Sequence, residues 1–177
     1  IRGQGDVTLT QKEFVSAGGE GSVYAKGDTA YKIYSDPDRM IPVGKITELS
    51  NIQDLNIIRP RDVLWGSAQK PVGYTMRFIR DAVPLCQLFT RAFRERNGIS
   101  HDRALATVKN LQSLVESVHQ AQILIVDLNE LNFLTDSSFQ ELYGIDVDSY
   151  QTRSYPATAL MPSIRDWQVI NNNFTQL

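Results

Sequence analysis

Asp127-Leu128-Asn129-Glu130-Leu131-Asn132 sets a carboxylate and a carboxamide five positions apart, directly after a long helical pattern. Leu105, Val108, Leu111, Val115 and Val118 carry that pattern, recurring at three- and four-residue steps as one apolar stripe. Ser100 is suited to cap its start. Ile123 to Val126 is a short apolar run that reads as a buried segment. Beyond the hexapeptide, Phe133 to Thr135 and Glu141 to Ile145 read as a small hairpin around Asp136-Ser137-Ser138. Ile145-Asp146-Val147-Asp148 then places an acidic pair where the last strand ends.

Working back from this stretch, the N-terminal part reads as strands. Glu13 to Ser16 leads into a Gly-rich turn, Gly18-Gly19-Glu20-Gly21. Ser22 to Ala25 and Thr29 to Tyr34 flank Lys26-Gly27-Asp28, a hairpin signal. On the second of these strands Ala30, Lys32 and Tyr34 share a face. A modest helix is predicted from about Val43 to Asn51, with Ile46 and Leu49 inward and Glu48 near the sheet. Strands are predicted over Ile57 to Trp65 and Val72 to Ile79. The tail from Ser149 reads as extended, with one helical turn near Ser163 to Trp167. The fold class is α+β. Residues 1–80 form a small antiparallel-sheet lobe with one helix, and residues 81–177 a shortened, mainly helical lobe.

Composition narrows the function classes. The chain has 177 residues, 42% apolar and 21% charged, as expected of a globular protein. Lys+Arg number 18 and Asp+Glu 20, a net charge of -2 that gives no support for nucleic-acid binding. The apolar runs are too short to span a bilayer, and no signal peptide is visible. Cys86 is the only cysteine, which excludes an internal disulfide and fits a cytoplasmic setting. The chain starts at Ile1 rather than Met, as a fragment or trimmed chain does.

Phosphoryl transfer from a nucleoside triphosphate needs a phosphate cover, a cation on the phosphates, metal ligands and a carboxylate near the attacking hydroxyl. Gly18, Gly19 and Gly21, then Lys32, then Asp127, then Asn132 with Asp146 or Asp148 supply these parts in order. Each alone has a plain structural reading: a hairpin turn, a solvated strand lysine, a helix cap, a turn former, a capped strand end.

Together they resemble the protein-kinase-like superfamily over about residues 13 to 150. Val118-His119 through Asn132 resembles the end of the catalytic-lobe helix and the catalytic loop. Gly18 to Tyr24 is similar to the Gly-rich loop, Ala30 to Ile33 to the strand with the phosphate-binding lysine, and Ile145-Asp146 to the metal-binding segment. A bacterial or phage kinase-like group carrying Asp-Val-Asp-Ser-Tyr-Gln is the nearest variety.

The resemblance implies ATP and Mg²⁺ as cofactors and a protein or small-molecule hydroxyl as acceptor. It implies catalytic roles for Lys32, Asp127 and Asn132, and metal ligation by Asn132 and Asp146, with Asp148 the competitor. Gly18, Gly19 and Gly21 would approach the phosphates and adopt positive φ. Glu48 would pair with Lys32, with Asp38 and Glu20 as rivals. Val23, Ala30, Met76, Phe78 and Phe133 or Leu134 would hold the adenine, with backbone hydrogen bonds from Arg77 to Phe78. His119 is expected to be a core histidine anchoring the loop.

Four departures qualify the match. Ser16 stands where the first loop glycine would fall, Val126 where regulated kinases carry an arginine, and Asn129 where a lysine would touch the transferred phosphate. After Asp146 only Val147 to Leu177 remain, much less than such domains usually carry. Minimal fold, fragment and completion by a partner, including a homodimer, all fit that length. Tyr155-Pro156-Ala157-Thr158 is then the substrate-facing stretch, and Leu160-Met161-Pro162 packs onto the second lobe. The alternative function is a pseudokinase-like nucleotide-binding module. An unrelated α+β domain is the third reading.

Overall fold

A computed structural model describes residues 5–67, 69–157 and 161. Among them the chain forms a five-stranded antiparallel sheet, a three-stranded antiparallel sheet and three α-helices, an α+β arrangement. No helix among the described residues is long and apolar enough to cross a membrane. The turn expected near Ser163 to Trp167, and Thr158, Leu160 and Pro162, lie outside the described residues.

The first sheet starts with β1 (Phe14–Ala17), β2 (Gly21–Lys26) and β3 (Thr29–Tyr34). Lys26 pairs with Thr29, so the hairpin closes on Gly27-Asp28 alone. Gly27 has φ +64°, a conformation that costs glycine least and explains its place there. A short 3-10 turn, Pro37–Arg39, is capped by the Asp36 side chain, which accepts from the Asp38 amide. It leads into α1 (Val43–Leu49). Ile46 and Leu49 face inward as expected, and Lys45 is buried beside them.

β4 (Val63–Trp65) and β5 (Pro71–Arg77) complete the sheet in the order β1-β2-β3-β5-β4. The strand expected over Ile57 to Trp65 is thus confined to its last three residues. Its first half crosses to the other sheet instead: the Ile58 amide donates to Gly144 O at 2.8 Å, and the Gly144 amide to Asn56 O at 2.9 Å. Pro60, fully buried and without an N–H, separates the two pairings.

The second part begins with β6 (Val83–Pro84) and a 3-10 segment, Leu85–Phe89, followed by α2 (Arg91–Arg96) and α3 (His101–Gln120). The Ser100 hydroxyl accepts from the Arg103 amide, making the predicted N-cap. The predicted stripe holds only for the second half of α3. Leu105 and Val108 are exposed, and the buried face runs through Thr107, Leu114 and Val118. Thr107 tolerates burial because its hydroxyl donates to the Arg103 carbonyl, so a polar residue replaces the expected apolar one. β7 (Phe133–Thr135) and β8 (Leu142–Gly144) form the predicted hairpin, and β7 pairs with β6 on its other side.

The main core combines Leu49, Ile52 and Ile57 with Leu85, Leu114, Val118, Phe133, Val147 and Tyr150. Elements from both parts of the chain share it, so burial there fixes how α1 and α3 sit around the β7–β8 hairpin. Each such side chain contributes roughly 1.5–3 kcal/mol when fully buried. Tyr34, Ile46 and Tyr74 form a smaller cluster between the first sheet and α1.

Candidate functional site

β3 alternates its side chains, so Lys32 and Tyr34 project from one face toward the 3-10 turn Val147–Ser149. There the Lys32 ammonium donates to Asp148 Oδ2 at 2.6 Å, Asp146 Oδ1 at 3.1 Å and Glu20 Oε2 at 3.2 Å. The Tyr34 hydroxyl donates to the same Asp148 oxygen at 2.5 Å. From α1, Lys45 Nζ donates to the Asp148 main-chain carbonyl at 2.7 Å. The Lys32 ammonium also lies 5.3 Å and 5.9 Å from the ring centres of Tyr34 and Tyr74, which adds cation–π attraction.

Burial alone would neutralise these groups, and their mutual contacts decide the outcome. Burial lowers Lys32, but Asp148, Asp146 and Glu20 outweigh it and raise its pKa. Burial raises Asp148, but Lys32 and the Tyr34 hydroxyl hold it below the ordinary carboxylate range. Asp146 follows the opposite course: burial and the Asp148 charge push it up to about 6. Burial and Asp148 raise Tyr34, which keeps its phenol protonated as a donor. Burial lowers Lys45, and the Asp148 charge only partly restores it. Asp146 also adopts a left-handed backbone, φ 57° and ψ 38°. Such strain in a non-glycine residue costs of order 1–3 kcal/mol and tends to mark a functional position.

The Asp127–Asn132 stretch forms a 3-10 turn, Glu130–Asn132, with the Asn129 side chain accepting from the Leu131 amide. Two carboxamides hold Asp127. Asn129 Nδ2 donates to Oδ1 at 2.9 Å, and Asn132 Nδ2 to Oδ2 at 2.8 Å and to the main-chain carbonyl at 3.0 Å. The five-position spacing therefore closes a small ring around a half-buried carboxylate. With its nitrogen so committed, Asn132 turns its amide oxygen away from Asp127.

Two cavities meet at Asp146. One, about 590 Å³, lies between the sheets and is lined by Val23, Ala30, Met76, Phe78 and Leu134, with Lys32, Asn132 and Asp146 among its polar groups. The other, about 650 Å³, contains Asp127, Asp146, Asp148, Lys45 and Arg39, with Tyr155 to Ala157 and Met161 along its wall. Lys32, Asn132 and Asp146 thus share one cavity. Asp127 lines the neighbouring one and reaches the first through its bond to Asn132.

Several expected placements are corrected. Glu48 does not pair with Lys32; it accepts from the Ser154 amide at 3.1 Å, because the inward face of α1 carries Lys45 instead. Asp38 pairs with Lys70, and of the rivals only Glu20 reaches Lys32. None of Gly18, Gly19 and Gly21 has positive φ. Gly18 and Gly19 face open space, whereas a side chain on Gly21 would run into the Ile33 carbonyl, so packing against β3 demands that glycine. The Phe78 amide is spent on Asp28 O at 2.9 Å, closing β5 onto the hairpin turn. Phe133 is core, and Leu134 lines the cavity. His119 is exposed at the end of α3, not buried.

The cluster around Lys32 also contains residues that the motif spacing does not single out. Tyr34 lies two positions from Lys32 on the same strand face, a signal that was present. Lys45 lies four positions before the inward-facing Leu49, which also marked it. Asn129 as a holder of Asp127 had no signal beyond proximity.

Among described residues, Glu20, Asp146 and Asp148 each offer one carboxylate oxygen within 4.8 Å of the others, an all-oxygen set suited to a hard cation. Comparison with protein-family models and with curated proteins gives no match.

Proposed function

We propose that this chain is an ATP- and Mg²⁺-dependent phosphotransferase with a protein-kinase-like bilobal fold, residues 1–80 and 81–177 forming its two lobes. One observation carries the reading: an apolar cavity between the sheets ends on an ammonium, a carboxamide and a carboxylate, Lys32, Asn132 and Asp146. A planar base needs apolar walls, and Val23, Ala30, Met76 and Leu134 supply them. A triphosphate extending from that base meets Lys32, a compact cation suited to phosphate oxygens. Asn132 and Asn129 fix the Asp127 carboxylate, which accepts the proton of an attacking hydroxyl. The acceptor, a protein Ser/Thr or a small hydroxyl compound, reaches Asp127 through the second cavity.

The residues present fit a magnesium ion. Asp146, Asp148 and Glu20 would hold it, and Asn132 lines the same cavity as Asp146. When bound, the ion supplies charge neutralisation at the phosphate oxygens. The bond from Asn129 to Asp127 favours a second reading, a nucleotide-binding module with little transfer activity. It leaves neither Asp127 oxygen without a donor, and it occupies the place where a lysine would touch the phosphate.

A radiolabelled γ-phosphate assay against mixed acceptors, with wild type and Lys32→Ala, separates the readings. Transfer that Lys32→Ala abolishes supports the enzyme. Thermal stabilisation by ATP without transfer favours the binding module. Absence of both refutes the two together.

A further inference from the structure

Tyr155, Pro156 and Ala157 form one wall of the cavity that contains Asp127. The chain turns back on itself there: the Thr152 amide donates to the Tyr155 carbonyl at 3.1 Å, and the Tyr155 amide to the Thr152 carbonyl at 3.3 Å. The turn is tied at both ends. The Ser154 amide donates to Glu48 on α1, and the Ala157 amide to the Gln151 side chain at 3.1 Å. Its closest contact is between Tyr155 and Gly44. A methyl group on Gly44 would overlap the Tyr155 hydroxyl, so the phenol lies directly against the α1 backbone. Glycine forms helix less well than alanine, and the space that the phenol takes explains why it stands here.

A second observation concerns the backbone that leads to Asp127. Leu124 and Gln151 exchange both main-chain bonds, at 3.0 Å and 2.9 Å, and the Val126 carbonyl accepts from the Met161 amide at 3.1 Å. A peptide binds in extended form by pairing with a free strand edge. The edge beside Asp127 is already taken by this chain's own backbone. The cavity beyond it is walled by Arg39, Ile41 and Lys45 and by Tyr155, Ala157 and Met161. Its volume, about 650 Å³, falls within the range of small-molecule sites, about 300–1,000 Å³.

We propose that the phosphate acceptor is a small hydroxyl compound and not a protein, and that Tyr155, seated on Gly44, sets the size of its site. The acceptor class rests on the phosphotransferase reading above; the seating of Tyr155 does not. In the transfer the acceptor oxygen bonds the γ-phosphorus as the bond to the β,γ-bridging oxygen breaks. ADP leaves, and the hydroxyl proton passes to Asp127. Tyr155 takes no part in that step and is a positioning residue. With its phenol on Gly44 the turn stands as a wall, which confines a compact acceptor beside Asp127. With the phenol displaced, the wall moves and the confinement is lost.

The test applies a double-mutant cycle to the full chain. Gly44→Ala unseats the phenol, and Tyr155→Ala removes it. Alanine suits the helix better, so Gly44→Ala should raise the melting temperature in the Tyr155→Ala background and lower it in wild type. Trypsin cleavage after Arg153, read by mass spectrometry, should be about fivefold faster in Gly44→Ala than in wild type. An equal melting shift in both backgrounds, or unchanged cleavage, overturns the seating. Should Gly44→Ala alone fail to fold, recovery on adding Tyr155→Ala supports the seating, and failure of both overturns it. Transfer of labelled γ-phosphate is then compared between two sets of acceptors. One holds sugars, amino alcohols and nucleosides, and the other unstructured peptides containing Ser and Thr. Wild type should label a compound of the first set and none of the peptides. Gly44→Ala and Tyr155→Ala should each raise KM for that compound about tenfold, with kcat changed less than about twofold. Unchanged KM overturns the role of Tyr155. Labelled peptides overturn the acceptor class and leave the phosphotransferase reading standing. If neither set is labelled, that reading falls and takes the acceptor class with it, while melting and proteolysis still decide the seating.

Discussion

Asp148 is buried and takes an ammonium and a phenol on one oxygen, while Asp127 is half-buried and takes a carboxamide on each. The difference lies in the charge of each neighbour. Lys32 favours the charged form of Asp148, and burial does not reverse that. Asp127 is held by neutral carboxamides, which fix its direction. The first arrangement suits counter-ion and ligand roles, and the second suits a positioned acceptor.

The sharpest way to break this contrast is to remove the ammonium. Lys32→Met leaves Asp148 as a buried charge without its main partner, and stability should fall by roughly 3–5 kcal/mol in urea unfolding at pH 7. A loss below about 1 kcal/mol would mean that the cluster relaxes or picks up a proton, and that Asp148 is not a fixed anion. Asp127→Asn tests the other side. It should change stability by only about 1 kcal/mol, the net worth of a hydrogen bond. Transfer should fall by about 10²–10⁴-fold with nucleotide affinity unchanged. A destabilisation as large as that of Lys32→Met would make the two carboxylates alike.

Helix α1 sharpens the contrast further, because it presents both signs of charge. Lys45→Met removes the donor to the buried Asp148 carbonyl and should cost about 1–3 kcal/mol. Glu48→Ala loses one bond to Ser154 and should cost about 0.5 kcal/mol, with transfer changed less than twofold. If Glu48→Ala instead matched Lys32→Ala in the transfer assay, the lysine would depend on Glu48 after all.

What could be read from the sequence follows from the range of the interactions involved. The hairpin on Gly27-Asp28, the Ser100 cap and the β7–β8 hairpin are local, and short stretches of residue chemistry specified them. The shared face of Ala30, Lys32 and Tyr34 needed only strand alternation. Placement of Asn132 beside Asp127 followed from spacing. Helix periodicity leaves two charged residues, Lys45 and Glu48, near one face of α1 and does not choose between them. The partner that decides between them, the Asp148 carbonyl, comes from the far end of the chain. The outer half of α3 failed similarly: Leu105 and Val108 suited burial, but Thr107 faces the core and satisfies its hydroxyl within the helix. The Gly-rich turn was located correctly, but its chemistry lies in Glu20 and its packing constraint in Gly21.

A third carboxylate, away from the cavities, supplies a control on which transfer should not depend. Asp136 accepts from the amides of Ser138, Gln140 and Glu141 and from the Ser138 hydroxyl, which closes the turn between β7 and β8. Burial raises its pKa, but the Ser138 hydroxyl and the three amides outweigh it, so the carboxyl is held below its ordinary value. A depressed folded-state pKa stabilises the fold above the unfolded value, near pH 3.9, and that contribution disappears as pH falls through the folded value. Asp136→Asn should therefore cost about 1 kcal/mol at pH 7, discounted for the partial exposure of the turn, and progressively less below about pH 4. Urea unfolding of both proteins across pH 3 to 7 measures this convergence. Transfer at pH 7 should stay unchanged, because Asp136 lines neither cavity. A gap in stability that persisted at pH 3 would assign the effect to turn geometry and not to charge. Asp136 would then share with Asp127 a role set by hydrogen-bond direction alone.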